Sequence, residues 1–242
     1  MSSIENPGSA PTFASTDENL SSPRVYDIVV LGSGEGTKSI AWTLGKQGKR
    51  IAVIERKYIG GSCPNIACLP SKNIIHSAKV ASYFRRSEEF GITKDNFKVD
   101  MSAVRRRKRN MVDRLVDIHL ANFKASGAEL IIGSARFTAP KTLEVALHNG
   151  GTRVVRGDKV IIGVGTHATI AQIPGLSESG PLTHIEALDL DHIPEHLLVF
   201  GSGYGLRTYS GVGFLLPTSI MGESPSSSLP LDPLRVSIPS RE

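Results

Sequence analysis

Only two cysteines, Cys63 and Cys68, occur in the 242-residue chain. That scarcity excludes a framework of structural disulfides and a zinc site built on four thiolates. Long apolar runs are missing too: none approaches the roughly 20 residues a bilayer-spanning helix needs, and the first residues lack the basic-then-apolar order of a secretory signal. The expectation is a cytoplasmic protein with no membrane partner, where a cysteine pair is more often catalytic or metal-binding than structural. The seven histidines are scattered and show no recognised metal-ligand spacing, so each is read as a surface or satisfied polar residue and no metal site is expected.

Charge of one sign is also scarce. Lys and Arg total 28 against 23 Asp and Glu, a net charge of +5. Basic residues concentrate only in "RRRKR", residues 105–109, a pattern that alone suggests a nucleic-acid patch. The flanking sequence places Val104, Met111, Leu115, Ile118 and Phe123 on a helical stripe that ends at Gly127. The run is therefore read as the solvated face of a helix, with no nucleic-acid partner. Apolar residues at 40% and charged residues at 21% fit a globular protein of one or two domains. Residues 1–24, rich in Ser, Pro, Asn and Thr, read as a disordered polar tail.

The stretch "VYDIVVLGSGEGTKSIAWTLGKQGKRIAVIER" has an apolar strand at residues 28–31, glycines, a helical segment, and a second strand at residues 51–54 that ends at Glu55. This is the layout of a βαβ unit that holds a dinucleotide. Gly32 makes the tight turn, Gly34 lets backbone approach a pyrophosphate, and the helix N-terminus offers free N–H groups. Glu55 is placed to accept hydrogen bonds from the adenosine ribose. Thr37 stands where a third glycine is usual, and a β-branched residue there predicts overpacking costing about 1–3 kcal/mol.

Directly after the second strand comes "GGSCPNIACLPSK". In a regular helix, residues five apart lie about 8.7 Å apart at Cα, beyond the roughly 7 Å limit for a disulfide. A Cys63–Cys68 bridge thus needs an irregular turn, which Pro64 and Asn65 suit, with the helix "SKNIIHSAKVASYF" starting only afterwards. Three readings stand: a redox pair, a partial metal site, or two small buried side chains. Position beside the glycine turn favours the first, and a helix N-terminus would favour a thiolate.

On these residues the chain resembles the class I pyridine nucleotide-disulfide oxidoreductases, the family of dihydrolipoamide dehydrogenase, glutathione reductase and mercuric reductase, and is most similar to mercuric-reductase-like members. The motif G-G-x-C-x-N-x-x-C-x-P-S-K is matched at Gly60, Gly61, Cys63, Asn65, Cys68, Pro70, Ser71 and Lys72. The resemblance implies an FAD-dependent enzyme that moves electrons between NAD(P)H, FAD and a redox-active Cys63–Cys68 disulfide, and on to a disulfide, dithiol or metal-ion substrate. It implies that Cys63 exchanges with substrate and that Cys68 lies against the flavin. FAD contacts are implied at Gly61, Ser62, Lys72, Ala135 and Gly165, beside the Gly32, Gly34 and Glu55 already named. A homodimer is also implied.

The expected fold is α/β: a Rossmann-type FAD-binding domain with an inserted antiparallel β-meander, followed by only the first strand of a second, NAD(P)-binding domain. The Asn149-Gly150-Gly151 turn predicts a hairpin between "LEVAL" and "TRVV", and the chain returns through a strand at residues 159–162. Residues 25–176 form the flavin domain with the redox motif, and residues 177–206 a linker and the start of the second domain. There the second fingerprint, "FGSGYGLR", is one residue short, with Arg207 where a glutamate is expected. Residues 207–242 are an aberrant tail: five prolines and seven serines in the last 26 residues deny a stable helix or strand. The resemblance therefore implies a chain truncated before most of the NAD(P) domain and before the dimerisation domain, which carries the family's His–Glu acid-base pair. A truncated flavin-binding fragment without turnover is the alternative reading.

Overall fold

The computed structural model describes residues 22–93, 96–195 and 197–198. Residues 1–21 of the polar tail and the second fingerprint at residues 201–207 lie outside the described residues, while Arg24, the last residue assigned to that tail, opens the first strand. The chain divides into two compact units, one of residues 1–65 and 113–167, the other of residues 66–112 and 168–242.

The first unit is built on five strands: β1 (Arg24–Leu31), β2 (Ile51–Glu55), β3 (Glu129–Ala139), β4 (Thr142–Leu147) and β5 (Thr152–Ile162). β1 runs parallel to β2 on one side and to β5 on the other, and β2 runs parallel to β3. β4 pairs antiparallel with both β3 and β5, which closes the sheet into a ring. Side chains alternate across the strands. Val29, Leu31, Ala52 and Ile54 face one core with Ile131, Leu143, Val145 and Val155. Ile28, Val30, Ile51 and Val53 face a second core with Ala41 of helix α1 (Glu35–Lys46) and Phe123 of helix α4 (Met101–Ser126). Both faces are buried, so β1 and β2 read as continuous apolar runs.

The parallel sheet and the meander share strands. β3 pairs with β2 up to Ile132 and with β4 from Gly133, where an added Cβ would lie 2.4 Å from the Ala146 carbonyl. β5 is one strand of 11 residues, not the separate "TRVV" and returning segments that the sequence predicts. Gly157 lets it pass Val29, whose nitrogen a Cβ would approach to 3.0 Å. The hairpin at residues 148–151 forms as expected, with Gly150 and Gly151 at φ 94° and 78°. At the open ends of the strands, Glu129 accepts hydrogen bonds from Arg24, Tyr26 and Arg153.

The second unit has its own core of Ile74, Ala78, Ala81, Met101 and Leu188. It contains α3 (Cys68–Arg85), a 3-10 turn at Ser87–Phe90 and α5 (His184–Ala187), whose Thr183 and Glu186 form a capping box. α3 begins three residues earlier than the sequence predicts, with Pro70 in its first turn. The N–H groups of a first turn have no intrahelical acceptor, so proline loses nothing there. The basic run forms a solvated face at Arg106, Arg107 and Arg109, which are exposed, but not at Lys108. Lys108 is buried, its Nζ 2.8 Å from the Leu188 carbonyl and 2.7 Å from Asp189 Oδ1, and Arg109 and Arg105 also bind Asp189. No described helix is long and apolar enough to cross a membrane.

Candidate functional site

β1 has β2 on one side and β5 on the other, both parallel to it, so the strand order reverses beside it, and the crevice past the carboxyl ends of parallel strands at such a reversal is the usual ligand position. Backbone crowds together there. Gly32, at φ +88°, would place a Cβ 2.2 Å from the Gly163 carbonyl, and Gly61, at φ +85°, would place one 2.6 Å from the α-carbon of Gly34. Gly34 itself is different. A Cβ added to it meets only Thr37 Oγ1, at 3.9 Å, so its face of the crevice is open. Gly34 also caps α1, leaving that helix's first N–H groups directed at the opening.

Thr37 causes no overpacking. Its hydroxyl donates to the Gly32 carbonyl, 2.8 Å away, and its Cγ2 methyl occupies the space that a Cβ on Gly163 would fill, 2.3 Å from that built atom. The small residue that the fingerprint usually supplies at the third glycine position is supplied from the end of β5 instead.

Glu55 is buried at 8% exposure and saturated from within. Its Oε2 accepts from the Ser33 N–H at 2.9 Å and the Ser33 hydroxyl at 2.7 Å; its Oε1 accepts from the N–H groups of Lys57 and Tyr58 at 2.8 and 3.0 Å. Four donors fill the four acceptor positions of a carboxylate. The carboxylate thus ties the glycine turn to the loop after β2, and a ribose hydroxyl would have to displace one of these donors.

That loop leads into the thiols. The Gly60 N–H donates to Ser33 Oγ at 2.9 Å, the Gly61 N–H to the Tyr58 carbonyl at 2.7 Å, and the Asn65 amide donates back to the Ile59 and Gly61 carbonyls at 2.9 and 2.8 Å. Asn65 therefore closes the turn that carries Cys63. Cys63 sits half-buried in the short helix α2 (Ser62–Asn65), and Cys68 is exposed at the start of α3. Ala67, at φ −134° and ψ −98°, breaks the two helices apart, the irregularity the spacing calls for.

The other expected residues are placed less tightly. Ser62 and Lys72 are exposed, on α2 and α3. Ala135 is half-buried on β3 against the sheet core, and Gly165 follows β5 at φ +68° with open space around it. In the first unit the structure thus brings Gly32, Gly34, Glu55 and Gly61 together.

Sequence reading missed Lys38, His119 and Gly163. Lys38 is 3% exposed, on the buried side of α1 with Ala41. His119 is 8% exposed and continues the apolar stripe of Leu115 and Phe123 at helical spacing, which is the signal that it turns inward. Burial pushes the imidazole pKa down, and the Lys38 charge lowers it further.

Comparison with known proteins agrees with this arrangement. Residues 26–205 match the family model described as pyridine nucleotide-disulphide oxidoreductase. The chain is 33% identical over 181 residues to a mercuric reductase of Streptomyces lividans, covering 74% of this chain and 38% of that one. It is 28% identical over 183 residues to a dihydrolipoyl dehydrogenase of Mycoplasma pneumoniae, with 74% and 39% covered. Among solved structures, the HOCl-induced flavoprotein disulfide reductase RclA from Escherichia coli superposes with a TM-score of 0.66 at 28% identity, over 79% of this chain and 40% of that one. The chain spans between 28% and 42% of the length of the curated relatives it matches. Strand order, glycine crevice and thiol motif converge with these matches: the chain belongs to the pyridine nucleotide-disulphide oxidoreductase family.

Proposed function

We propose that this chain is the flavin-binding, thiol-bearing portion of an FAD-dependent disulfide oxidoreductase. One observation carries the reading: the open cradle at Gly34, on the N-terminus of α1, stands among close-packed glycines whose last member, Gly61, is two residues from Cys63. The residues fit FAD. The α1 N-terminus and Gly34 would hold the pyrophosphate, and Ser62, Ala135 and Gly165 of the same unit would line the rest, with Glu55 meeting the ribose if Ser33 yields a donor. Bound FAD would supply two-electron chemistry to the thiol pair, the hydride coming from NAD(P)H in a whole enzyme of this family.

The chain's own thiols do the exchange. Cys63 as thiolate attacks one sulfur of a substrate disulfide, and the other sulfur leaves as thiolate. Cys68 then attacks Cys63 in the mixed disulfide, so the Cys63–Cys68 bond forms and the second substrate sulfur departs. Two electrons pass from the pair to the substrate. A soft metal ion held by the two thiolates is the other substrate class. Homodimerisation and a cytoplasmic site are part of the same proposal, drawn from the family.

Titrating the full chain with FAD and following flavin fluorescence and absorbance tests the reading. Saturable binding is expected, weakened at least about tenfold in Gly34→Ala, whose methyl blocks the approach of phosphate to backbone while leaving the fold intact. No binding by the unaltered chain refutes the proposal. With FAD bound, dithionite should bleach the flavin and NADPH should not, because the fingerprint at residues 201–207 is one residue short. That result is the alternative, a flavin-binding chain without turnover; bleaching by NADPH overturns it.

A further inference from the structure

Beside the glycine crevice lies a buried polar cluster that no fingerprint accounts for. Lys38 Nζ is 2.5 Å from Glu35 Oε1, 3.3 Å from the Gly60 carbonyl and 2.9 Å from His119 Nε2. An ammonium has three N–H donors, and here they have three acceptors. Accepting at Nε2 puts the neutral imidazole's hydrogen on Nδ1, a buried atom with no hydrogen-bond partner. The ring cannot turn to find one. It stacks on Trp42, centroids 5.7 Å apart, and its other side rests on Gly60, where an added Cβ would lie 2.5 Å from Nδ1.

We propose that Lys38 and His119 form a proton-sensitive clamp on the Gly60 carbonyl and act as positioning residues for the loop that delivers Cys63. Of the four backbone groups of Gly60 and Gly61, three are held by the neutral partners Ser33, Tyr58 and Asn65. Only the Gly60 carbonyl is held by a cation that shares its donors with a titratable group. A proton added at Nε2 removes the acceptor facing Lys38 and sets two positive charges at hydrogen-bond distance. Trp42 blocks the ring on one side, so the displacement passes to Lys38 and to Gly60. The charged groups that face His119 among the described residues are Lys38 and, beyond it, Glu35, both on α1; the loop offers Gly60 backbone and α1 also offers the Trp42 ring. The clamp stands on geometry alone, and only its consequence for thiol exchange rests on the function proposed above.

Two measurements on the full chain, neither requiring FAD, test the clamp. Nitrogen-15 spectra should show His119 as the Nδ1–H tautomer at pH 8, titrating below the ordinary imidazole value. The Gly60 and Gly61 amide signals should move with the same midpoint. In His119→Gln, whose amide oxygen still accepts from Lys38, the two amides should hold their pH 8 positions and lose the acid step. In Lys38→Met the His119 midpoint should rise and the amides should stop following it. Iodoacetamide should label Cys63 of a Cys68→Ser chain about three- to tenfold faster when Lys38→Met is added, the size of one net hydrogen bond released. A His119 that titrates ordinarily while both amides stay still overturns the proposal, as does an acid step that survives in His119→Gln. If Lys38→Met does not fold, the comparison of His119→Gln with the parent chain decides alone. Failure of FAD binding would leave these results untouched.

Discussion

Two lysines are buried among the described residues, one in each unit, and they differ in what completes their shell. Lys38, 3% exposed, meets a neutral imidazole, a carbonyl and a carboxylate that is itself 60% exposed. Lys108, 6% exposed, meets a carbonyl and the Asp189 carboxylate, which Arg109 also binds. A buried cation held by a fixed opposite charge is a structural fastening. One held through a neutral titratable ring depends on the protonation of that ring.

Removing the anion gives the largest expected contrast. Asp189→Ala leaves Lys108 buried without its counter-charge and should cost about 3 kcal/mol, read as a shift in the urea midpoint with unchanged slope. Lys38→Met takes away a buried charge and substitutes an apolar chain of similar length, so it should cost only about 1 kcal/mol. Equal losses in the two variants would erase the distinction.

Acid should separate the two sites next. The His119 pKa lies below its ordinary value of 6.5, because burial and then Lys38 disfavour the charged ring. The unfolded chain takes that proton first, so the stability linked to His119 is complete above pH 6.5 and is lost as pH falls through the folded midpoint. Asp189 responds lower. Burial would raise its carboxyl, but hydrogen bonds from Arg109 and Lys108, with their charge, outweigh it and hold the group below 3.8. Its contribution is present above that value and lost as pH falls through the folded midpoint. Unfolding curves at pH 5.5 and 7.5 should differ for the parent chain and converge for His119→Gln. The smallest effect is expected at Glu35, whose exposed side chain makes Glu35→Gln worth no more than about 0.5 kcal/mol by the same unfolding measurement.

The sequence reveals one of these lysines no better than the other, and the reason is the same for both. A lysine in a helix reads as solvent-facing, and its burial is decided by partners 81 residues away in each case, His119 for Lys38 and Asp189 for Lys108. Local pattern cannot carry that information. What is local was legible: the two apolar strands around the glycine turn, the thiol motif and the Asn-Gly-Gly hairpin all formed where the residues placed them. Thr37 shows the boundary between what is local and what is not. Its branched side chain predicts a clash from the motif alone, while the glycine that removes the clash lies at the end of β5, 126 residues on. Glu55 ends β2 as the pattern places it, and its four internal donors become visible only with Ser33, Lys57 and Tyr58 folded around it.

The closed order of the five strands bears on how this chain meets its own copies. An open sheet ends in strands whose N–H and C=O groups recruit a neighbouring chain. Here every one of β1 to β5 has a strand on each side, because β4 joins β3 to β5. Two strands are covered only in part, though: residues 133–139 of β3 pair with β4 alone and residues 158–162 of β5 with β1 alone, so each leaves one edge unpaired among the described residues. A second chain could therefore extend the sheet of the first unit along those two edges, while contact at β1, β2 or β4 would have to be built from side chains.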